Sequence, residues 1–334
     1  MCQPSGVTFL GLRFDLRNPA FAGTTMTERY AAAIEMSEWA ERVGMFFVVL
    51  CEHHGSDDGY LPSPLVLASA IAARTERISI QVAAIVAPFH DPLRLAEDAA
   101  VVDLVSGGRL DLVVTGGYVP DEFAMFGVPL RERPARTAEA IETLRAAWTG
   151  EPFEFRDRTV RVTPAPERPG GGGPGITMGG SSDPAARRAA RLGVGFSPSS
   201  GESWEAYRSE CIALGRDDPG PHHGKDSTAT IIAADVEAGW AAIGPYAMHE
   251  ANAYGAWAAA SGVATGYRQV GSIDELRESG QYRVVTPATF VEEMTAEGPF
   301  GFAVLHPMLG GTPPALAWEQ LRLIEHEVLP HLPT

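Results

Sequence analysis

The feature that most constrains this chain is an alternation, in which short apolar runs are each followed by a stretch with helical spacing of apolar positions. Residues 7–14 (VTFLGLRF) read as a strand, and residues 27–43 follow with Tyr30, Ala33, Met36, Ala40 and Val43 on one helical face. Thr27 is the expected N-cap and Gly44 the expected stop. The unit recurs at 46–50 with 64–74, at 78–86 with 92–104, and at 109–114 with 134–148. A stretch at 152–163 alternates instead like a small exposed hairpin, an insertion. The units resume at 175–179 with 184–192, at 193–197 with 203–214, at 228–234 with a helix from Val236, and at 302–305 with 314–328. Strands separated by helices pair in parallel through right-handed crossovers. Eight such units predict a single α/β domain over 1–334, a (β/α)8 TIM barrel with insertions. A doubly wound open sheet is the competing topology.

Composition narrows the function classes. The chain has 334 residues with 26 Lys+Arg against 42 Asp+Glu, so 26 − 42 = −16. Nucleic acid and anionic membrane both require clustered cations, so neither is expected as a partner. No apolar run reaches the 18 or so residues of a membrane span. The start, MCQPSGVTFLGLRFDL, lacks the basic region of a signal peptide. Cys2, Cys51 and Cys211 are scattered without a C-x-x-C, which fits a reducing, cytoplasmic setting.

In a parallel barrel the chemistry lies at the C-terminal strand ends. The second strand ends in Cys51-Glu52-His53-His54, where adjacent histidines point to opposite sides. There is no H-E-x-x-H and no H-x-H, so no metal set is read. A histidine at such a strand end is either a proton shuttle or a hydrogen-bonded structural residue. The pair His222-His223, in DDPGPHHGKD, reads as solvated surface. Gly180-Ser181-Ser182, before a helix, suits a phosphate on the helix N-terminus. It equally suits an ordinary turn with Ser182 or Asp183 as N-cap and Pro184 at N1. Residues 167–175 (ERPGGGGPG) lack the Gly-Lys-Ser/Thr of a P-loop and read as a connector. Residues 255–286, rich in Gly, Ser and charge, read as a long mobile lid or insertion.

Three long segments, CEHHGSDDGYLPSPLVLASAIAARTERISI, AAIVAPFHDPLRLAEDAAVVDLVSGGRLDL and GGYVPDEFAMFGVPLRERPARTAEAIETLRAAWTG, together with VVTPATFVEEM and VLPHL, resemble the bacterial luciferase-like monooxygenase family over nearly the whole chain. The resemblance implies a barrel that binds reduced FMN or a deazaflavin at the strand ends. It places a proton-handling role on His53 and a non-prolyl cis peptide under the flavin at Ala83-Ala84. It also places Thr115, Gly116 and Tyr118 beside the ribityl and phosphate, and phosphate contacts at Gly180, Ser181 and Ser182. The lid at 255–286 falls where the family has its mobile loop.

The sequence departs from the family at Val113-Val114-Thr115, which lacks a phosphate-binding arginine, and at Ser181, where luciferase has an acidic residue. Arg187 and Arg188 are the possible substitutes. The reading that follows is a two-component monooxygenase, with reduced FMN from a separate flavin reductase and a small-molecule substrate. The alternatives are a hydride-transferring oxidoreductase using coenzyme F-420 and a non-catalytic flavin-binding member. A metal-dependent barrel hydrolase is a more distant rival. Phe14, Met178, Phe196, His306 and Met308 are the expected pocket rim, implying an apolar or aromatic substrate, and a homodimer is expected from the resemblance.

Overall fold

The computed structural model describes residues 7–198, 201–222, 229–263, 266–296 and 300–332. His223 of the histidine pair lies outside them. The first half alternates as expected: β1 (Val7–Phe14), α1 (Met26–Arg42), β2 (Phe47–Leu50), α2 (Pro64–Ala72), β3 (Ser79–Val86), α3 (Pro92–Ser106) and β4 (Leu110–Thr115). Then come α4 (Pro120–Met125), α5 (Arg133–Ala147) and an antiparallel hairpin of β5 (Phe153–Phe155) and β6 (Arg158–Val160). The second half runs β7 (Gly175–Gly180), α6 (Asp183–Leu192), β8 (Gly195–Pro198), α7 (Trp204–Ala213), β9 (Ala229–Ile232) and α8 (Val236–Ser261). It closes with α9 (Ile273–Glu278), β10 (Tyr282–Val285), α10 (Pro287–Ala296), β11 (Phe300–Leu305) and α11 (Pro314–Glu327).

Seven strands form one parallel sheet in the order β11-β1-β2-β3-β4-β7-β8. The first strand lies beside the last, with Val7 opposite Phe300 and Leu12 opposite Leu305. β9 and β10 form a separate parallel pair, with β9 lying beside β11. Among the described residues no ladder joins β8 to that pair, so the structure is a curled parallel sheet rather than the closed eight-strand ladder expected. One reason is local: β8 has four residues and ends in Pro198, which has no N–H to donate.

Strand parity places the core. Leu10, Leu12 and Phe14 point from β1 into the helix layer and are buried with Val48, Leu50, Ile80, Val82, Leu112 and Val114. Gly11 faces the inside of the curl, where a Cβ would stand 2.2 Å from the Phe47 ring, which itself stacks on Phe302 at 5.4 Å. Phe14, Met178, Phe196 and Met308, expected at a pocket rim, belong to this core instead, each no more than 5% exposed.

Two boundaries differ instructively. Thr25, not Thr27, caps α1, because Thr25 and Glu28 bond each other's backbone N–H groups in a capping box. The stretch 255–286 is not one long loop: it holds the end of α8, then α9 and β10. Gly255 is a helix-interior glycine, required because a Cβ there would lie 2.6 Å from the backbone of Arg268 and Gln269.

Candidate active site

The C-terminal ends of β2, β3, β4 and β7 stand side by side in the sheet, so the residues leaving them form a continuous arc. Ala83 and Ala84 on β3, Thr115 at the end of β4, then Gly116 and Tyr118, and Gly180 on β7 are all half-buried, whereas Ile85, Val114 and Met178 are buried. The peptide bond between Ala83 and Ala84 is cis, and the β3–β4 register shifts at this point. The sequence therefore brings the family-matched positions together along one accessible rim.

His53 follows β2. Its Nδ1 lies 2.7 Å from Glu122 Oε1, and the same oxygen accepts the backbone N–H of His54 at 2.9 Å. A carboxylate only accepts, so Nδ1 carries the proton and Nε2 of the neutral ring is the free acceptor. Glu122 is 2% exposed, and its Oε2 has no hydrogen-bond partner among the described residues. The imidazole lies on Trp257 at 4.3 Å between centroids, with Tyr60 at 4.9 Å, Tyr118 at 5.8 Å and Tyr254 at 6.0 Å. Burial raises the Tyr118 phenol well above its ordinary range, and the Glu122 charge adds to this, so Tyr118 stays protonated.

His54 points the other way, as expected from adjacency. Its Nε2 lies 2.8 Å from Glu52 Oε1, which His90 Nε2 meets at 2.9 Å, while Glu52 Oε2 accepts the Val86 N–H at 2.6 Å. Burial alone would raise the Glu52 carboxyl. The bonds from His54, His90 and Val86 outweigh it and bring it down to about 2. Glu52 thus ties the exit of β2 to the exit of β3, beside the cis bond.

On the β1 side, Leu16 has φ 60° and turns the chain sharply, so Asp15 and Arg17 are both fully buried beside each other. Arg17 Nη1 donates to Asp58 at 2.5 Å, and its guanidinium carbon lies 4.7–4.9 Å from the centroids of Tyr60, Tyr254 and Trp257. Arg13 Nη2 donates to the Tyr254 hydroxyl at 2.8 Å and its Nε approaches Cys51 Sγ at 3.2 Å. Asp58 Oδ2 also faces His249 Nε2 at 2.8 Å. Donor atoms of Asp15, Glu250 and His306 lie within 4.8 Å of one another, all buried.

At the proposed phosphate end, Ser182 occupies the N-cap of α6, yet its hydroxyl does not bond the first-turn N–H groups. Ser181 and Ser182 are exposed. Arg187 pairs with Glu210 on α7 at 3.2 Å, Arg191 shares that carboxylate, and Arg188 is half-buried. His222 lies against Trp204 at 5.3 Å.

Sequence reading missed Glu122, Arg17, Tyr60, Tyr254 and Trp257. Glu122 had a signal, since Pro120 followed by Asp121 and Glu122 marks a short helix start. Trp257 lay unread within the 255–286 stretch taken for a loop, and Tyr254 just before it.

The strand ends thus carry a histidine–carboxylate pair beside a cis Ala-Ala bond on the rim of a curled parallel sheet. The sequence profile of the luciferase-like monooxygenase family matches residues 13–299, and the chain belongs to that family. A monooxygenase of Streptomyces bottropensis superposes with a TM-score of 0.74 at 25% identity, covering 97% of this chain and 99% of that one. The oxygenase component of a flavin-dependent trigonelline monooxygenase from Acinetobacter baylyi is 30% identical over 38% of this chain and 36% of its own. An F-420-dependent glucose-6-phosphate dehydrogenase of Nocardia farcinica is 32% identical over 49% of this chain and 55% of its own. The chain spans about two fifths of the length of the first curated relatives it matches. Among the described residues no helix is long and apolar enough to cross a membrane.

Proposed function

We propose that this chain is the oxygenating component of a two-component monooxygenase, taking reduced FMN from a separate flavin reductase and acting with O2 on a small apolar or aromatic molecule. The observation that carries this reading is the His53–Glu122 pair, set at the head of an accessible rim formed by Ala83, Ala84, Thr115, Gly116, Tyr118 and Gly180. The residues fit a flavin. The rim is half-buried where the rest of the strands are packed, and the Ser181 and Ser182 hydroxyls are not used to cap α6, which leaves them for a phosphate.

When bound, the flavin supplies the oxygen chemistry, and the protein supplies position and protons. Glu122 fixes the tautomer of His53, so Nε2 takes and returns a proton at the reacting face. Trp257 and the tyrosines exclude water from that imidazole. Residues 255–263, the start of the stretch read from the sequence as a lid, would cover the rim through Trp257. The aromatic side chains around His53 suit an apolar or aromatic substrate. A homodimer is part of the proposal: Val66 on α2 and Val101 and Val105 on the adjacent α3, 73%, 47% and 47% exposed, are apolar side chains such an interface would cover.

A second reading, a hydride-transferring enzyme using coenzyme F-420, is favoured by one observation: the 32% identity to an F-420-dependent glucose-6-phosphate dehydrogenase over 49% of this chain. Titration of the protein with reduced FMN and with F-420 separates the two. Micromolar binding of FMN supports the first; binding of F-420 without FMN overturns it. With either cofactor, His53→Ala is expected to lower kcat by about 10²–10⁴-fold. An unchanged kcat would favour a different proton carrier, and no turnover with any substrate would favour a non-catalytic member.

A further inference from the structure

The Arg17 side chain is fully buried, yet only part of its guanidinium is used in hydrogen bonds. Nη1 donates to Asp58, while Nε and Nη2 have no hydrogen-bond partner among the described residues. Nε lies 3.5 Å from Asp15 Oδ2, an ion-pair contact only. Arginine cannot shed its proton to relieve this. The faces of Tyr60, Tyr254 and Trp257 attract the charge but are weak hydrogen-bond acceptors. Buried N–H groups without an acceptor are costly, which points to an acceptor from outside the fold.

The group borders the rim through one ring. The Trp257 indole lies on the His53 imidazole at 4.3 Å between centroids and 4.8 Å from the Arg17 guanidinium carbon. A single planar ring therefore spans both the proton carrier and the unsatisfied arginine. Trp257 is half-buried near the end of α8, whereas Tyr60 and Tyr254 are 3% and 6% exposed. Of the three rings around Arg17, the indole is the one with solvent to turn into.

We propose that the Trp257 indole holds the place of the substrate's ring, and that Arg17 is a specificity-determining residue whose Nη2 donates to a neutral carbonyl oxygen borne on that ring. The inference deepens the reading of an aromatic substrate beside His53 and rests on it. The indole turns outward and covers the bound ring from the solvent side. The substrate ring takes its stack on the imidazole, and Arg17 gains the acceptor that no described residue supplies. Charge decides which acceptor. Arg13, Arg17 and Arg29 are already faced by Asp15, Asp58 and Glu250. A carboxylate would add a buried charge without a free partner, whereas a carbonyl accepts the N–H and adds none.

The test uses the cofactor-free protein and three probes: acetophenone, its isostere α-methylstyrene, in which a methylene replaces the oxygen, and benzoate. Calorimetry is expected to show acetophenone bound roughly 10–100-fold more tightly than α-methylstyrene, with benzoate weakest. Trp257→Ala should tighten acetophenone while keeping its preference over the alkene. Arg17→Met should abolish the preference while leaving the alkene's affinity near its original value. An arginine that serves only to tie β1 to Asp58 would not move that ratio. Where Arg17→Met does not fold, NMR of the unmodified protein decides. Acetophenone should shift the Arg17 guanidinium N–H signals and the His53 ring protons, and α-methylstyrene the His53 protons alone. Equal binding of ketone and alkene, a preference that survives in folded Arg17→Met, tighter binding of benzoate, or no binding of any probe to Trp257→Ala would overturn the proposal. The flavin reading is reported separately by the cofactor titrations, since no flavin is present in these measurements.

Discussion

At the scale of the residue, the chemistry proposed for the rim depends on carboxylates that the sequence does not advertise. Glu122 lies 69 positions from His53, yet sets which imidazole nitrogen is free. Glu122→Gln presents an amide that can offer N–H to Nδ1 and so favour the wrong tautomer. We expect about a 10²-fold fall in kcat, with KM nearly unchanged, measured under steady state with the cofactor that binds. Glu52 gives a prediction in pH. Its carboxyl falls from an ordinary 4.5 to about 2 in the fold, so its contribution is complete above about 4.5 and is lost as pH falls towards 2. Denaturant unfolding between those limits should show a loss of about 2–3 kcal/mol that Glu52→Gln abolishes. His53 was legible because a polar cluster closed an apolar run, and Ala83-Ala84 through resemblance. Glu122, Arg17 and the aromatic rings were not, because tertiary folding alone brings them to the histidine.

At the scale of the element, the periodic pattern located strands and helices well where apolar positions recur and poorly where small residues take over. The run AYGAWAAAS in α8 has little amphipathic signal, and its glycine reads as a breaker until the chain at Arg268 is seen crossing it. Gly255→Ala should therefore destabilise the protein by about 1–3 kcal/mol, as overpacking does, although the same change in an open helix stabilises by about 1 kcal/mol. Chemical denaturation distinguishes the two signs. β10 escaped notice because four residues carry no period of their own. The start of α6 offers a separate prediction. Since the Ser182 hydroxyl does not cap its helix, Ser182→Ala should shift stability by only a few tenths of a kcal/mol. The same change should weaken FMN roughly fivefold if a phosphate takes that hydroxyl. Thermal unfolding and a binding isotherm on one variant measure both.

At the scale of the whole molecule, the exposed valines of α2 and α3 carry the assembly prediction. Val101→Asp places a charge among them, and sedimentation velocity should show a dimer replaced by monomer, with far-ultraviolet circular dichroism unchanged. The count of alternating units anticipated the parallel sheet and its order, but not that the ladder would stop at β8. Ladder continuity depends on strand length and on Pro198, details finer than a hydrophobic pattern records.

The pairing of β1 with β11 also has a consequence in time. Val7 and Phe300 are partners separated by 293 positions, so on the ribosome one side of the first strand has no partner until the last strand emerges. At about 5–20 residues per second, that edge waits roughly 15–60 s. An unpaired edge invites pairing with other chains, and β1 is apolar on its helix-facing side. The nascent protein therefore spends most of its synthesis as an incomplete sheet, and its yield in a cell should depend on whatever shields that strand while it waits.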